Sequence, residues 1–300
     1  GVYGLLSASF FVAMDAVDVA FTEAAVGAGI STLLILVVLS MTGRQQKATR
    51  HRPLAALLVA VGSALLLFYG ISDMPLFGDP QAPIHNHVAP RYIWDSPSEV
   101  GIPNIVTSVL ASYRAFDTFG EVVVIFTAGM GVLALLSSTT PSTRPEPTLH
   151  SEHSVIRIVS KILFPFIFLF GLYVQFHGDF GPGGGFQAGV IFAAAIILYS
   201  MLFGLEVATK VFKPDAIRLI AALGVLIYAS VGVANILSGA NFFDYSTLAA
   251  DPVAGQHVGI LLIELGVGCT VAAVMVMIFF SFSARREQQL ADTDTEDTSL

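Results

Sequence analysis

Two carboxylates, Asp117 and Glu121, lie four residues apart in a long apolar stretch. In a helix this spacing puts both side chains on one face, with Glu121 about 6 Å further along the axis. A charged group inside a membrane helix costs at least about 2.5 kcal/mol and by default marks an ion or proton pathway. The alternative is that Arg114, three residues before Asp117, pairs with it and anchors the helix at the membrane surface. Both residues are candidates for binding a cation or exchanging a proton.

Three further ionisable residues fall within or at the start of apolar runs. Glu23 opens the run 19–41, where a helix N-terminus alone would favour its negative charge by about 0.3 to 1 kcal/mol. Glu264 lies about two turns inside the last run, too deep for its short side chain to reach the surface easily. Lys161 lies two turns into its own run, and its longer side chain can extend to the surface. We treat all three as pathway candidates, with a surface-reaching role as the simpler interpretation of Lys161.

The segment 177–189, with the sequence HGDFGPGGGFQAG, separates two long apolar runs. Proline lacks the amide donor and glycine carries a large entropy cost in a helix, so the helix must end here. Irregular backbone near a bilayer must be covered by protein or face water, and we therefore predict a packed hairpin. His177 is of the type that changes charge between pH 5 and 8, and Asp179 is near enough in sequence to pair with it; a structural histidine is the alternative. The motif residues are His177, Asp179, Pro182, Gly183, Gly184 and Gly185.

Other chemical motifs are missing from the sequence. A single cysteine, Cys269, allows neither a disulfide framework nor a cysteine metal site. The glycines are not followed by Gly-Lys-Ser/Thr, so they do not form a phosphate loop. His85 and His87 lie in a proline-rich loop without the spacing of a metal site. We expect no metal centre, and no set of nucleophile, base and orienting partner indicates an enzyme.

The composition is that of a membrane protein. Mean hydropathy is +0.77, and 55% of the residues are hydrophobic and 12% charged, against about 25% charged residues in soluble proteins. The net charge of −8 comes largely from acidic residues after 286, which we expect to form a solvated, disordered tail. The predicted fold is all-α, a polytopic membrane protein with about eight transmembrane helices.

The apolar runs set the predicted elements. The first is short of the roughly 20 residues that a span needs, and we predict it as broken or reentrant. Residues 104–116 are predicted to form an amphipathic interfacial helix that leads into the fourth run. The runs are 2–14, 19–41, 54–71, 117–136, 155–176, 186–205, 216–237 and 258–282.

A stretch rich in Ser, Thr and Pro, residues 141–153, is the clearest linker. It separates two small membrane modules from a four-helix domain, and the second module carries a long outer loop. The predicted divisions are 1–52, 53–140, the linker 141–153, the domain 154–283 and the acidic tail 284–300.

Basic residues predict the orientation. With both termini in the cytoplasm, all of the 14 Lys and Arg residues except Arg91 and Arg114 fall on the cytoplasmic side. This arrangement puts the glycine loop on the outer face, apart from a deep ion site.

The glycine loop resembles the signature of the MrpB-type subunit of the Mrp (multiple resistance and pH) sodium/proton antiporters. The resemblance rests on His177-Gly178 and on the run Pro182-Gly-Gly-Gly-Phe-Gln-Ala-Gly189, and it extends from about 155 to 282, including the sequence GILLIELG at 259–266. The family usually has His-Gly-His, whereas Asp179 stands here in the place of the second histidine. This departure weakens any role for a histidine pair.

The first half resembles two small modules of the same machinery. The sequences VDVAFTEAAVGAG at 17–29 and YRAFDTFGE at 113–121 are similar to modules that close the large MrpA-type subunit and that form separate small subunits in membrane-bound hydrogenases. These modules are related to part of the membrane arm of respiratory complex I. The chain would then fuse three modules, and the resemblance implies a helix before Val2.

The resemblance implies membership of a hetero-oligomeric complex in a prokaryotic plasma membrane. Such a complex exchanges cytoplasmic Na⁺, or another monovalent cation, for external protons without a bound cofactor, enzymatic activity or a nucleic-acid partner. It makes Glu121 and Glu23 the main pathway candidates and Asp117 and Glu264 supporting ones, while the glycine loop shapes the outer mouth or a contact with a partner. The alternatives are a membrane-arm coupling component of an energy-converting hydrogenase or complex I-like enzyme, and a purely structural scaffold.

Overall fold

The computed structural model describes residues 1–42, 52–76, 78–136 and 154–297, with only the backbone described for 154 and 287–297. These residues contain helices and turns and no strand. The main helices are α1 (Val2–Ala13), α2 (Val17–Met41), α3 (Pro53–Ser72), α4 (Ala115–Leu136), α5 (Ser154–His177), α6 (Gly185–Phe203), α7 (Leu205–Val211), α8 (Pro214–Leu237) and α9 (Pro252–Asp297). Short helical segments cover Pro83–Asn86, Val88–Pro90, Arg91–Asp95, Ser96–Glu99, Ile105–Thr107, Ser108–Tyr113 and Tyr245–Thr247.

In the described part of the chain, 7 helices are long and apolar enough to cross a membrane. They are α2, α3, α4, α5, α6, α8 and the part of α9 up to Arg286. The first of the eight predicted runs forms α1, which has 12 residues and is too short to span a membrane. The prediction of an all-α polytopic membrane protein is confirmed, with seven candidate spans and one short apolar helix.

Three segments of the described residues have the wider π-type helical geometry. Ala24–Ile30 lies within α2, Arg91–Asp95 lies in the loop after α3, and Ser108–Tyr113 precedes α4. The predicted continuous interfacial helix 104–116 is wrong, because Arg114 leaves helical geometry at φ −120° and ψ 30°. The Tyr245 hydroxyl donates to the carbonyl of Ala111 at 2.9 Å and thereby satisfies a backbone group in the interrupted segment.

The described chain forms two compact units. One is Thr42–Asp95, which contains α3. The other combines Gly1–Met41 with Ser96–Leu300, and within it α9 packs against α8, α6 and α4, while α5 packs on α6 and α1 on α2. The predicted linker 141–153 lies outside the described residues. Although α4 precedes that linker and α9 follows it, the two helices belong to one compact unit.

Glycines allow α9 to approach its neighbours closely. A Cβ atom on Gly189 of α6 would lie 2.9 Å from the Gly268 carbonyl oxygen, and one on Gly224 of α8 would lie 2.5 Å from the Gly266 carbonyl oxygen. On α4, a Cβ on Gly129 would lie 2.9 Å from a Val274 methyl group. Small residues at such crossings let membrane helices make close van der Waals contact. They bring α4, α6 and α8 close to the middle of α9.

The C-terminal segment differs from its prediction. We expected a disordered acidic tail from residue 284, but α9 continues to Asp297. Residues 284–297 contain no glycine or proline, and Arg, Glu, Gln, Leu and Ala are good helix formers. The acidic residues therefore extend the last membrane helix.

Candidate functional site

A cavity of about 330 Å³ lies within the larger compact unit. It is lined by the start of α2, the segment before α4, the first turns of α4, the glycine loop and α9. Its walls are mostly aliphatic, including Val106, Leu110, Val122, Ile125, Ile263 and Val267. The polar side chains that line it are Asp18, Thr22, Thr107, Thr118, Glu121, Gln187 and Glu264.

Three carboxylates share this cavity. Asp18 and Glu264 are partly buried, while Glu121 lies on the exposed side of α4. Among the residues that the structure describes, no group of three or more His, Cys, Asp or Glu side chains is close enough to hold one metal ion. The three carboxylates are thus separate positions along one cavity, and they do not converge on a single point.

The glycine loop lies directly beside the carboxylate of Glu264. A Cβ atom on Gly184 would lie 2.9 Å from Glu264 Oε1, and one on Gly178 would lie 3.0 Å from the same oxygen. Gly184 has φ +102°, which residues with a side chain rarely adopt. The sequence placed this loop apart from a deep ion site, but the structure puts it in contact with Glu264, because the crossing of α6 and α9 brings the loop against α9.

Asn104 joins the loop to the first module. Its side-chain amide nitrogen lies 3.1 Å from the carbonyl oxygens of both Gly178 and Gly181, and 3.3 Å from Asp18 Oδ1. The Thr107 hydroxyl also donates to the Gly178 carbonyl oxygen, at 2.6 Å. Sequence reasoning missed Asn104 as a site residue. Its position as an N-cap, where its side chain accepts from the Val106 amide, was the available signal.

Gln187 joins α6 to α2. Its amide nitrogen donates to the Thr22 hydroxyl at 2.8 Å, and the Gln187 residue is 7% exposed. Thr22 in turn donates to the Asp18 backbone carbonyl at 3.0 Å. Sequence reasoning did not select Asp18 or Gln187, although each is a polar residue at the edge of an apolar run. Asp18 and Gln187 line the same cavity because α2 packs near α6 in the folded chain.

Other predicted pathway residues lie outside this cavity's lining. The Glu23 carboxylate lies beside Gly27, one helical turn further along α2. Asp117 pairs with Arg114 at 2.6 Å, with 55% of its side chain exposed. Lys161 lines a different cavity. Of the five pathway candidates, Glu121 and Glu264 line this cavity.

Of the two alternatives for His177, the pairing with Asp179 is not formed. The His177 ring stacks on Tyr173, with 4.9 Å between ring centroids. Asp179 Oδ2 instead lies 3.1 Å from His257 Nδ1 on α9. The amides of Phe180 and Gly181 both donate to the His177 carbonyl and form a tight turn. In this turn the side chains of His177 and Asp179 have different partners.

A buried tyrosine supports the wall made by the segment before α4. Tyr245 is fully buried and donates to Ala111, which lines the cavity. Burial raises the pKa of the Tyr245 phenol well above its ordinary value. The hydroxyl therefore stays protonated and remains a donor.

Three family models match consecutive parts of the chain. Residues 155–277 match the model described as a domain related to the MnhB subunit of Na⁺/H⁺ antiporter. Residues 1–44 match MbhD and residues 49–149 match MbhE, both described as subunits of MBH. The three matches follow one another in the order of the predicted modules.

Among curated proteins, the chain is similar to the putative antiporter subunit mnhB2 of Staphylococcus aureus. In strain Newman and in strain COL the identity is 35% over 135 residues, covering 44% of this chain and 95% of the relative.

Two solved structures are similar over most of the chain. The structure of the Mrp complex from Dietzia sp. matches with a TM-score of 0.70 and 25% identity over 94% of this chain. This chain covers only 31% of that one, about a third of its length. The membrane-bound sulfane sulfur reductase (MBS), an archaeal respiratory membrane complex, matches with a TM-score of 0.54 and 26% identity, covering 77% of this chain and 97% of that chain. This chain covers 95% of the length of the relative that is 35% identical to it, and this match shows the family. The chain belongs to the MnhB family of Na⁺/H⁺ antiporter subunits, and regions related to MbhD and MbhE precede its MnhB region.

Proposed function

We propose that this chain is a membrane subunit of a multi-subunit Na⁺/H⁺ antiporter and that its carboxylate cavity forms part of the ion route. One observation carries the proposal: the cavity takes one carboxylate from each family-matched region. Asp18 comes from 1–44, Glu121 from 49–149 and Glu264 from 155–277. Three regions that match separate subunits elsewhere thus contribute acidic groups to one space.

The chemistry of the cavity suits exchange of Na⁺ and H⁺. A carboxylate in a membrane is more stable when a proton or a cation neutralises it, and each carboxylate then holds one or the other. The hydroxyl groups of Thr22, Thr107 and Thr118 and the amide oxygen of Gln187 add oxygen ligands of the kind that hard cations prefer. Competition between Na⁺ and H⁺ at Glu264 and Glu121 couples their movements.

The proposed setting follows the family. The chain acts with other antiporter subunits in a prokaryotic plasma membrane, with both termini in the cytoplasm as the basic residues predict. Its transported ions are Na⁺ and H⁺, its surroundings are lipid and partner subunits, and it has no enzymatic activity or cofactor of its own. Glu23, Asp117 and Lys161 stay as pathway proposals outside the cavity, each to be tested by its own amide or glutamine variant.

The test is Na⁺-dependent proton exchange in everted membrane vesicles that contain the full complex. We expect Glu264→Gln and Glu121→Gln each to reduce exchange at least tenfold while the complex still assembles. Glu206→Gln is the matched control, because Glu206 is an exposed carboxylate outside the cavity and pairs with Lys210 at 2.7 Å. Parental exchange by an assembled Glu264→Gln complex would contradict the proposed route.

The similarity to the archaeal sulfane sulfur reductase supports a second candidate, a coupling component in the membrane arm of a redox complex. This chain covers 97% of that chain, so a similar arrangement of helices, over 77% of this chain, occurs in a respiratory complex. Affinity purification of the tagged chain decides between them. Iron-sulfur proteins in the purified complex would favour the redox assignment, and a set of antiporter subunits without iron would favour exchange.

A further inference from the structure

A second cavity lies between the start of α5 and the end of α6. It has a volume of about 350 Å³ and shares no lining residue with the carboxylate cavity. A volume of this size is at the lower end of the range of about 300 to 1,000 Å³ found for ligand pockets. Its lining includes Arg157, Ser160, Lys161, Phe164, Tyr199 and Phe203.

Two cations meet at one aromatic ring in this cavity. Arg157 Cζ lies 5.2 Å and Lys161 Nζ lies 5.6 Å from the centroid of the Phe203 ring. The two residues are four apart on α5, so their side chains project from the same face. The two side chains carry the same charge beside one ring, and an anion that contacted both would be stabilised by both.

No acidic residue lines this cavity, and in the described ranges neither cation lies within ion-pair distance of a carboxylate. The acidic residue that follows α6 in sequence, Glu206, pairs with Lys210 at 2.7 Å. The hydrogen bond from Lys210 holds the pKa of Glu206 below its usual value, so this carboxylate stays ionised and paired at neutral pH. The positive charge of Arg157 and Lys161 therefore lacks a counter-charge within the described chain.

The walls of the cavity suit an amphiphile. Phe164, Leu198, Tyr199 and Leu202 supply apolar surface to the cavity. Ser160, which is 9% exposed, adds a hydroxyl to the lining. An anion with attached hydrocarbon chains would contact both the charged and the apolar parts.

We propose that this cavity binds the phosphate headgroup of an anionic phospholipid, with its acyl chains along α5 and α6. A guanidinium group can bind phosphate oxygens through two hydrogen bonds, and Lys161 adds a second positive charge. The basic residues of this end, including Lys210, Lys213 and Arg218 in the next connection, predict a cytoplasmic location. Anionic lipids are concentrated in that leaflet, and basic pockets between membrane helices on that side bind such headgroups.

The experiment uses the whole complex containing this chain, purified in detergent. Native mass spectrometry would measure retention of phosphatidylglycerol and of phosphatidylcholine at matched concentrations. We expect phosphatidylglycerol affinity to fall about fivefold when either Arg157→Gln or Lys161→Gln removes one charge, and about 25-fold in the double variant. Phosphatidylcholine binding should not change. Lys210→Gln, a cation at the same end that already has a partner, should retain parental binding.

Charge-retaining variants separate binding from folding. Arg157→Lys with Lys161→Arg should assemble and hold most of the phosphatidylglycerol, while the neutral double variant loses it. Equal phosphatidylglycerol retention by the parent and the neutral double variant would overturn the proposal, as would an equal loss in Lys210→Gln. Millimolar inorganic phosphate is the third arm. Displacement of the lipid by phosphate alone would mean a soluble-anion site and would also overturn it.

Discussion

Replacing Gly184 by alanine tests the contact between the glycine loop and Glu264. Gly184 has φ +102° and ψ −178°, a backbone region that is essentially restricted to glycine. Occupying such a region with a side chain costs about 1 to 3 kcal/mol. The new Cβ atom would also lie 2.9 Å from Glu264 Oε1, so the carboxylate must move by a few tenths of an ångström.

The expected effects differ for stability and for exchange. The backbone cost lowers the stability of the complex by about 1 to 3 kcal/mol. A misplacement of 1 Å at a reacting group can reduce a rate about 100-fold, so a shift of a few tenths of an ångström should reduce exchange by about three- to tenfold. Gly239→Ala is the matched control. Gly239 also has a positive φ, +84°, but a Cβ there would have no atom within 4 Å.

The assay combines thermal loss of the assembled complex with Na⁺-dependent proton exchange in vesicles. Both variants should lose thermal stability, and only Gly184→Ala should lose exchange when activity is divided by the amount of assembled complex. If Gly184→Ala and Gly239→Ala behave alike in both measurements, the contact between the loop and Glu264 does not matter for exchange.

Three further predictions concern the surroundings of the cavity. Asn104→Ala removes the side-chain donor shared by the Gly178 and Gly181 carbonyls; it should lower stability by about 1 to 3 kcal/mol and speed proteolysis at the loop, and unchanged proteolysis would count against this anchoring. Tyr228→Phe removes the 2.8 Å hydrogen bond to the Ala115 carbonyl and should cost about 0.5 to 1.5 kcal/mol in thermal denaturation, whereas a stability equal to that of the parent would mean that the bond contributes nothing. Asp117→Asn breaks an exposed ion pair worth about 0 to 1 kcal/mol, so the complex should stay assembled; because Asp117 is proposed to belong to the ion route, exchange in vesicles should fall severalfold, and exchange within twofold of the parent would remove Asp117 from that route.

The membrane helices were predictable because their signal is local. Within a bilayer each helix satisfies its own backbone hydrogen bonds, so an apolar run of about 20 residues is sufficient to specify a span. The runs 54–71 and 216–237 match α3 and α8 to within a few residues for this reason. The interruption at Arg114 was not predictable, since Tyr245 and Tyr228 reach the carbonyls beside it from other parts of the chain.

The candidate site also has some features that the sequence predicts and others that it does not. The sequence by itself determined that Glu121 and Glu264 are carboxylates in apolar runs and that the glycine motif must end a helix, because residue type and hydropathy suffice for both. Only the tertiary structure decided that Asp18 shares their cavity, that Asp117 and Glu23 lie outside its lining, and that the loop touches Glu264. These positions depend on the close packing of helices distant in sequence, and hydropathy contains no information about which helix faces which.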